Sequence, residues 1–416
     1  MKTDTSFDVT ISTMTYGGEG LGRLEDGRAV FVPYVLPGEL VRVRLVEDRP
    51  RYARGELLEV LQPSPARAEP RCPHFRVCGG CHYQHIPYED QLALKASILA
   101  DQLERIGGLS DPPVKPTIPA PQPWNYRNHL QFHLTQDGKL GYVGANSQAI
   151  IPIRECHLPE DSLNAIWPRL EFDPIQELER VSLRAGMEDD FLLILESENL
   201  LAPALIVEDL DLSVVHLSPA GVLILAGSEF VLQEVSGRLF HVSAPSFFQV
   251  NTPMAAAMVD HILENVTLDP SHTVLDVYCG VGLFSAFIAP MVGRLIGIES
   301  NPYACDDFVT NLNEFEHVEL YQDEVETVLK NTTMEPDLIL VDPPRSGISK
   351  RALQDLLAQG ASRIVYVSCD PATLARDARF LSAGGYQMSK ITPFDLFPQT
   401  YHIESISFWE KLPQGD

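Results

Sequence analysis

Residues Arg363–Asp377 read RIVYVSCDPATLARD, and the way this stretch is parsed decides the fold. Ile364–Val367 is a β-branched and aromatic run of the kind that fills a buried strand. Ser368-Cys369-Asp370-Pro371 ends that run, and the spacing behind it predicts an amphipathic helix. Cys369 therefore falls at the carboxyl edge of an expected parallel sheet, where α/β proteins place their ligands. Two roles compete for a thiol in that place. Free cysteine is among the most buried residue types, which makes it a small apolar filler. A thiol on a strand-to-helix turn is also placed to become a thiolate nucleophile.

Upstream, from residue 252, helices alternate with apolar strands. Helices are expected over 252–266, 283–289 and 303–315, with strands over 272–277, 295–299, 318–321 and 338–341. This βαβ alternation predicts a doubly wound parallel sheet. The first strand runs into Asp276-Val-Tyr278-Cys279-Gly280-Val-Gly282, and the second ends on Glu299, 23 positions after Asp276. A glycine-rich turn followed by an acid at the next strand end is a nucleoside-binding pattern, the acid reaching ribose hydroxyls. The glycines do not form G-x-G-x-x-G and no G-K-[ST] follows, which excludes a P-loop and favours a nucleoside without a diphosphate, S-adenosylmethionine. Asp323, after the third strand, is placed to meet adenine. Asp342-Pro343-Pro344, after the fourth, forms a stiff rim that can hold a flat base by its edge. Enzymes that methylate exocyclic amines carry a similar motif with an aromatic fourth residue, where this chain has Arg345.

The first two-thirds of the chain differ in character. Residues 7–61 alternate apolar and polar between glycine-rich turns, with strands expected at 7–11, 29–32, 40–46 and 52–60, a small β-barrel. Arg42, Arg44, Arg49, Arg51 and Arg54 on it are candidates for tracking phosphates, or a solvated strand face. A Pro/Ala linker follows at 62–70. Then come Cys72, Cys78 and Cys81 in a C-x5-C-G-G-C cluster, with Cys156 far downstream. Three close thiols and a distant fourth suit a four-cornered inorganic site, either a [4Fe–4S] cluster or a tetrahedral zinc. A helix is expected at 88–106, a proline-rich linker at 112–123, and a strand at 130–134. Trp124, Tyr126, Arg127 and His129 at its mouth either stack on unpaired bases or pack in the core. A mixed α+β region with acidic turns at 188–190 and 208–209 completes this part.

The chain has 416 residues and a net charge of −26. Residues 1–135 carry 15 Lys and Arg against 16 Asp and Glu, and the remainder 16 against 41. Bulk electrostatic binding of nucleic acid is thus excluded, and a polyanion meets least repulsion in the first third. The N-terminus has no apolar signal segment and no run approaches the length of a membrane span, so a cytoplasmic protein without membrane contact is expected, and a monomer.

Taken together, Asp342–Gly347 (DPPRSG), Ser368–Pro371 (SCDP) and Phe397–Glu404 (FPQTYHIE) resemble the RNA 5-methyluridine methyltransferase family, and the glycine-rich barrel (TYGGEGLGRLEDGRAVFVPYVLPGELVRVRL) resembles the RNA-binding TRAM domain. The whole chain looks like the branch that acts on ribosomal RNA and joins a TRAM barrel to a [4Fe–4S] cluster. The resemblance implies three parts: an OB-like barrel over 1–61, a central α+β domain over 62–245 whose Cys72, Cys78, Cys81 and Cys156 hold the cluster, and a Rossmann-like class I methyltransferase domain over 246–416. It implies methylation of uridine C5, 23S ribosomal RNA being favoured over transfer RNA. Cys369 is then the nucleophile, Glu404 the base and Asp342 the holder of the uracil edge. Gln249, Tyr278, Gly280, Gly282, Glu299, Asp323 and Asp342 line the cofactor. Leu283 departs from the Asn that some members carry. Cys279 is a rival nucleophile, Cys305 a core residue, and an exocyclic-amine methyltransferase using the Asp342 rim is the alternative chemistry.

Those residue types suit the reaction. C5 of uracil is barely nucleophilic until a thiolate adds at C6. The C5 proton must then leave, for which a carboxylate of raised pKa among Ile403, Ile406 and Phe408 is suited. A stacked base cannot be reached, so a loop nucleotide or a flipped one is required.

Overall fold

The computed structural model describes residues 6–145, 147–172, 178–188, 190–203 and 211–413; the expected acidic turn at 208–209 lies outside them, as does the middle of that at 188–190. Five strands, β1 (Ser6–Met14), β2 (Glu19–Arg23), β3 (Ala29–Pro33), β4 (Leu40–Asp48) and β5 (Tyr52–Gln62), close into a barrel in the order β1-β2-β3-β5-β4. Alternate residues, among them Val9, Ile11, Val30, Val32, Val41 and Val43, fill its interior. Strand β2 was not expected from its glycine-rich sequence. Inside so narrow a barrel one wall must carry no side chain: a Cβ on Gly20 would run into Val35 and Ile11, and one on Gly22 into Val9.

Helix α1 (Tyr88–Arg105) follows, and then a seven-stranded sheet with one short helix: β6 (His129–Leu134), β7 (Leu140–Val143), β8 (Ile150–Pro152), α2 (Asp161–Ile166), β9 (Leu178–Ala185), β10 (Phe191–Ser197), β11 (Ser213–Ser218) and β12 (Gly221–Ala226). Its order is β12-β11-β10-β9-β6-β7-β8, and a hairpin of β13 (Phe230–Val235) and β14 (Arg238–Ser243) leads out of it.

The last part begins with α3 (Thr252–Asn265) and alternates β15 (Thr273–Val277), α4 (Leu283–Ile288), β16 (Arg294–Glu299), α5 (Pro302–Asn311), β17 (Val318–Gln322), α6 (Val325–Asn331), β18 (Leu338–Val341), α7 (Lys350–Ala358), β19 (Arg363–Ser368) and α8 (Pro371–Ala383), ending in β20 (Tyr386–Phe394) and β21 (Glu404–Lys411). The order is β17-β16-β15-β18-β19-β21-β20, with β21 inserted antiparallel between β19 and β20. Successive residues of the central strands bury opposite faces: Val274, Leu295, Leu338 and Val365 pack on one side, Leu275, Ile296, Ile339 and Ile364 on the other. This is the doubly wound sheet the alternation predicts.

Two segments do more than link. Helix α1 sends Leu99 and Leu103 into the core of the last sheet, against α8. The proline-rich run after it lies along β20, where Lys115 N donates to Ile391 O (2.8 Å), Ile118 N to Pro393 O (2.9 Å) and Asp395 N to Ile118 O (2.9 Å). It thus satisfies part of the edge of that sheet, a use of proline that an edge tolerates. Among the described residues, no helix is long and apolar enough to cross a membrane.

Candidate active site and four-cysteine cavity

The inserted strand β21 builds the site. Its register against β19 pairs Ser368 with Ser405, so Cys369 and Glu404 are the next pair along, at the carboxyl edge of the sheet. On the other side of Glu404 stands Phe394 of β20. Glu404 is 4% exposed, between Ile403 at 1% and Ser405 at 1%. Burial, and then the Asp342 charge, push its carboxyl well above the usual carboxylate range, while Arg345 opposes the rise. Burial likewise pushes the Cys369 thiol up to about 12; Glu404, Asp342 and Asp370 add to this and Arg345 again opposes it. Burial thus favours the neutral form of both groups. Arg345, read in the sequence only as a departure from an aromatic, is the cation that acts on both.

The cofactor pattern lies at the neighbouring strand ends. Tyr278, Gly280 and Gly282 all have positive φ (64°, 53° and 88°), and the turn they make carries Gly280 N to Glu299 Oε2 at 3.0 Å. The other Glu299 oxygen accepts from Ser300 N and Asn301 N, both at 2.8 Å. A Cβ at Gly280 would meet nothing within 4 Å, so the turn is open on that side. Asp276, 1% exposed, accepts from Ser285 Oγ (2.6 Å) with one oxygen, and its other oxygen has no partner. Asp342 N donates to Val277 O (3.2 Å), which sets Asp342 beside the end of β15. Burial raises both carboxyls to about 7, each with help from a neighbouring carboxylate: Glu299 on Asp276, and Asp276 on Asp342. Asp323 stands exposed after β17, accepting Glu324 N at 2.7 Å. Gln249 is buried ahead of α3, with its carbonyl accepting from Asn128 Nδ2 (3.1 Å). Cys279 is buried under the turn with its sulfur against Gly297, and Cys305 packs its sulfur 3.4 Å from Glu299 O.

The loop from Asp395 to Ile403, which delivers Glu404, is held mainly by residues outside the sheet. Lys95 Nζ bonds Asp395 Oδ1 (2.5 Å) and Phe397 O (3.1 Å), and Tyr126 OH donates to Pro398 O (3.1 Å). Gln91 exchanges two bonds with Gln399, and His82 N and Tyr83 N both donate to the Gln399 carbonyl. Tyr126 is therefore a buried anchor and not a stacking platform. None of these partners carries a local motif; only the helical period of Gln91 and Lys95 hinted that they face a core.

Cys72, Cys78, Cys81 and Cys156 line one cavity of about 200 Å³, together with Arg127, Tyr142 and His157. Gly80 N points at Cys78 Sγ (3.3 Å). Burial is the first cause raising all four thiols, Cys156 to about 11, and the other thiols add to the rise for Cys78, Cys81 and Cys156. Among the described residues, no three His, Cys, Asp or Glu side chains converge closely enough for a single metal ion. On the barrel, four of the five candidate arginines are engaged by acids of the barrel itself: Arg42 by Asp8, Arg44 by Glu56, Arg49 by Glu47 and Arg54 by Glu19. The stripe therefore carries less uncompensated charge than its sequence suggests.

The comparisons with known proteins agree with this architecture. Residues 196–412 match the family described as tRNA (Uracil-5-)-methyltransferase, and residues 5–58 match the TRAM domain. An "Uncharacterized RNA methyltransferase" of Halalkalibacterium halodurans is 34% identical, over 97% of this chain and 96% of its own. A protein of the same description from Aquifex aeolicus is 33% identical, over 98% and 99%. The crystal structure of Pyrococcus abyssi tRNA (uracil-54, C5)-methyltransferase with S-adenosyl-L-homocysteine superposes with a TM-score of 0.72 at 24% identity, covering 97% of this chain and all of that one. With a barrel, a doubly wound sheet and relatives matched from end to end, the chain belongs to the uracil-5 RNA methyltransferase family, S-adenosylmethionine-dependent enzymes, and carries a TRAM domain at its N-terminus.

Proposed function

We propose that this enzyme methylates C5 of a uridine in ribosomal RNA through a covalent adduct on Cys369. The observation that carries the reading is the β19–β21 register, which sets Cys369 and Glu404 side by side with Asp342 and Arg345 acting on both. Bound S-adenosylmethionine supplies an electrophilic sulfonium methyl. The open turn at Tyr278–Gly282, Glu299 and the partnerless Asp276 oxygen fit such a ligand, with Asp323 and Gln249 as further lining. Cys369 adds to C6, and C5 becomes enolate-like and takes up the methyl. Glu404, as carboxylate, removes the C5 proton, and elimination then frees the thiol. Asp342 accepts from uracil N3–H, which cytosine lacks. Arg345 favours the thiolate that addition needs.

Cys72, Cys78, Cys81 and Cys156 line one cavity, and a cluster is preferred there to zinc because the C-x5-C spacing is longer than that of a usual zinc pair and no second close pair follows. Cys72, Cys78, Cys81 and Cys156 are the residues to hold a [4Fe–4S] cluster there, with Gly80 N donating to sulfur. Protein purified without oxygen is expected to be brown and to contain iron and sulfide; colourless protein with stoichiometric zinc refutes the assignment. The preference for ribosomal over transfer RNA rests on the resemblance of the whole chain to the ribosomal RNA branch. Mapping 5-methyluridine in both RNAs from cells lacking the gene tests it, and loss confined to transfer RNA overturns it. For the chemistry, RNA bearing 5-fluorouridine traps the wild-type enzyme covalently and Cys369→Ala abolishes the adduct; an adduct on Cys369→Ala refutes the nucleophile.

A further inference from the structure

The barrel reaches the catalytic turn directly. Tyr16, in the turn between β1 and β2, donates its hydroxyl to Asp370 Oδ2 at 2.6 Å. Asp370 follows Cys369, and its other oxygen caps α8 by accepting from Ala372 N (3.0 Å) and Thr373 N (2.8 Å). The Tyr16 ring meets Tyr401 edge-on at 6.2 Å, and Gly18 is pressed against the same ring. Tyr401 lies on the loop that delivers Glu404. Beneath it, Met14 and Leu36 of the barrel share a small core with Tyr83, Ile98 and Ile403. One barrel turn thus touches both the residue after the thiol and the loop before the acid.

We propose that Tyr16 is a positioning residue for methyl transfer: its hydroxyl fixes the place and shares the charge of the Asp370 carboxylate beside the Cys369 thiol. The inference rests on reading Cys369 as the nucleophile. Four charged groups act on that thiol: Glu404 from β21, Asp342 and Arg345 from the segment after β18, and Asp370 from its own turn. Three are acids that oppose ionisation, and only Arg345 favours it. A phenol that donates to Asp370 Oδ2 spreads part of that negative charge onto an atom outside the site. Arg345 and Tyr401 are the other groups that act on the Tyr16 hydroxyl. Without the hydroxyl, Oδ2 keeps its full charge, its effect on the neighbouring thiol is larger, and the thiolate forms less readily. The ring contacts with Tyr401 remain, so the fold and the RNA-binding barrel are kept.

The test is Tyr16→Phe in the full chain, alone and combined with Asp370→Asn, which keeps the cap oxygen on α8 but removes the charge. Adduct formation with 5-fluorouridine RNA and turnover on unmodified RNA are followed from neutral to alkaline pH, together with melting temperature. Tyr16→Phe is expected to lower kcat about 5- to 10-fold, less than the roughly 10- to 100-fold of a lost hydrogen bond to a charged group, because the hydroxyl acts on the thiol only through Asp370. It should also displace the rise of rate with pH to the alkaline side, with KM for RNA and the melting temperature unchanged. In the Asp370→Asn background the same substitution is expected to displace nothing further. Wild-type kcat and pH dependence in Tyr16→Phe overturn the inference. So does an equal loss in both backgrounds, which would make Tyr16 an interdomain contact only. An adduct on Cys369→Ala, measured separately, instead overturns the nucleophile assignment.

Discussion

Lys95→Met tests how the loop that delivers Glu404 is held in place. Lys95 and Asp395 have no side-chain exposure, and Nζ lies 2.5 Å from Oδ1, while the other Asp395 oxygen has no partner. Burial holds the Lys95 ammonium below its usual range, and only the Asp395 charge offsets this. Methionine nearly matches lysine in length, so charge is what the substitution removes. Asp395 is then left in a dry site without its ammonium partner, with the Tyr88 hydroxyl as its remaining polar neighbour. Breaking a buried ion pair from one side costs about 3–5 kcal/mol, so a loss of about 4 kcal/mol is expected at neutral pH. Urea unfolding followed by the fluorescence of Trp409, 1% exposed on β21, reads this directly. Asp395→Leu added to Lys95→Met should recover much of the loss, because no buried charge remains. Wild-type stability of Lys95→Met, or a double variant no more stable than Lys95→Met, refutes the reasoning.

Other outcomes follow from the same geometry. Glu404→Gln keeps the shape of the site but cannot take the C5 proton, so a covalent complex with ordinary uridine RNA should accumulate on denaturing gels while turnover falls by about 100-fold or more; normal turnover refutes the role. Asp276 is raised from 3.8 to about 7 in the fold, so its contribution to stability is full below the lower value and is lost as pH rises through the higher one. Asp276→Asn should accordingly gain on the wild type by on the order of 2 kcal/mol in alkaline buffer and match it near pH 4, as melting curves at the two pH values would show; a wild type that melts higher than the variant in alkaline buffer refutes the shift. Gly22→Ala pushes a methyl group into Val9 and to 2.8 Å from Thr10 O. It should destabilise the barrel by about 1–3 kcal/mol without altering cofactor binding, and an unchanged barrel melting transition refutes the tight interior.

How much of this was legible in the sequence depended on whether a signal was local. The strands β16, β18 and β19 are apolar runs that end at Glu299, Asp342 and Ser368-Cys369, and the parallel order of β15 to β19 follows from alternation with amphipathic helices. Cys369 at a strand end and the acids after β16, β17 and β18 could therefore be placed before any coordinates. Strand β2 could not, because Gly20 and Gly22 read as turn residues and only the barrel's width explains them. The proline-rich run after α1 read as a linker because its hydrogen bonds are made to β20, more than 270 positions away. The arginine stripe was visible, but the acids that engage Arg42, Arg44 and Arg54 sit on other strands of the barrel. Tyr16, Gln91, Lys95 and Tyr126 carry no local pattern of function, since what each touches is decided by tertiary packing.

These missed residues share a physical reason. The proposed catalytic edge gathers the Cys369 thiol with the carboxyls of Glu404, Asp342 and Asp276, and every one of these groups is pushed above its ordinary pKa. One guanidinium, Arg345, opposes the rise at the Cys369–Glu404 pair. Such a cluster resists its own assembly, because each charge that forms raises the cost of the next. It keeps its geometry only where the surrounding structure over-determines it. Here that support comes from outside the sheet. The two ends of the Asp395–Ile403 loop are fixed by the Lys95–Asp395 pair and the shared core around Ile403, its middle by Gln91 and Tyr126, and the Cys369 turn by Tyr16. The TRAM barrel and the segment behind it thereby brace the proposed active site, and removing the barrel should weaken catalysis even on RNA short enough not to need it for binding.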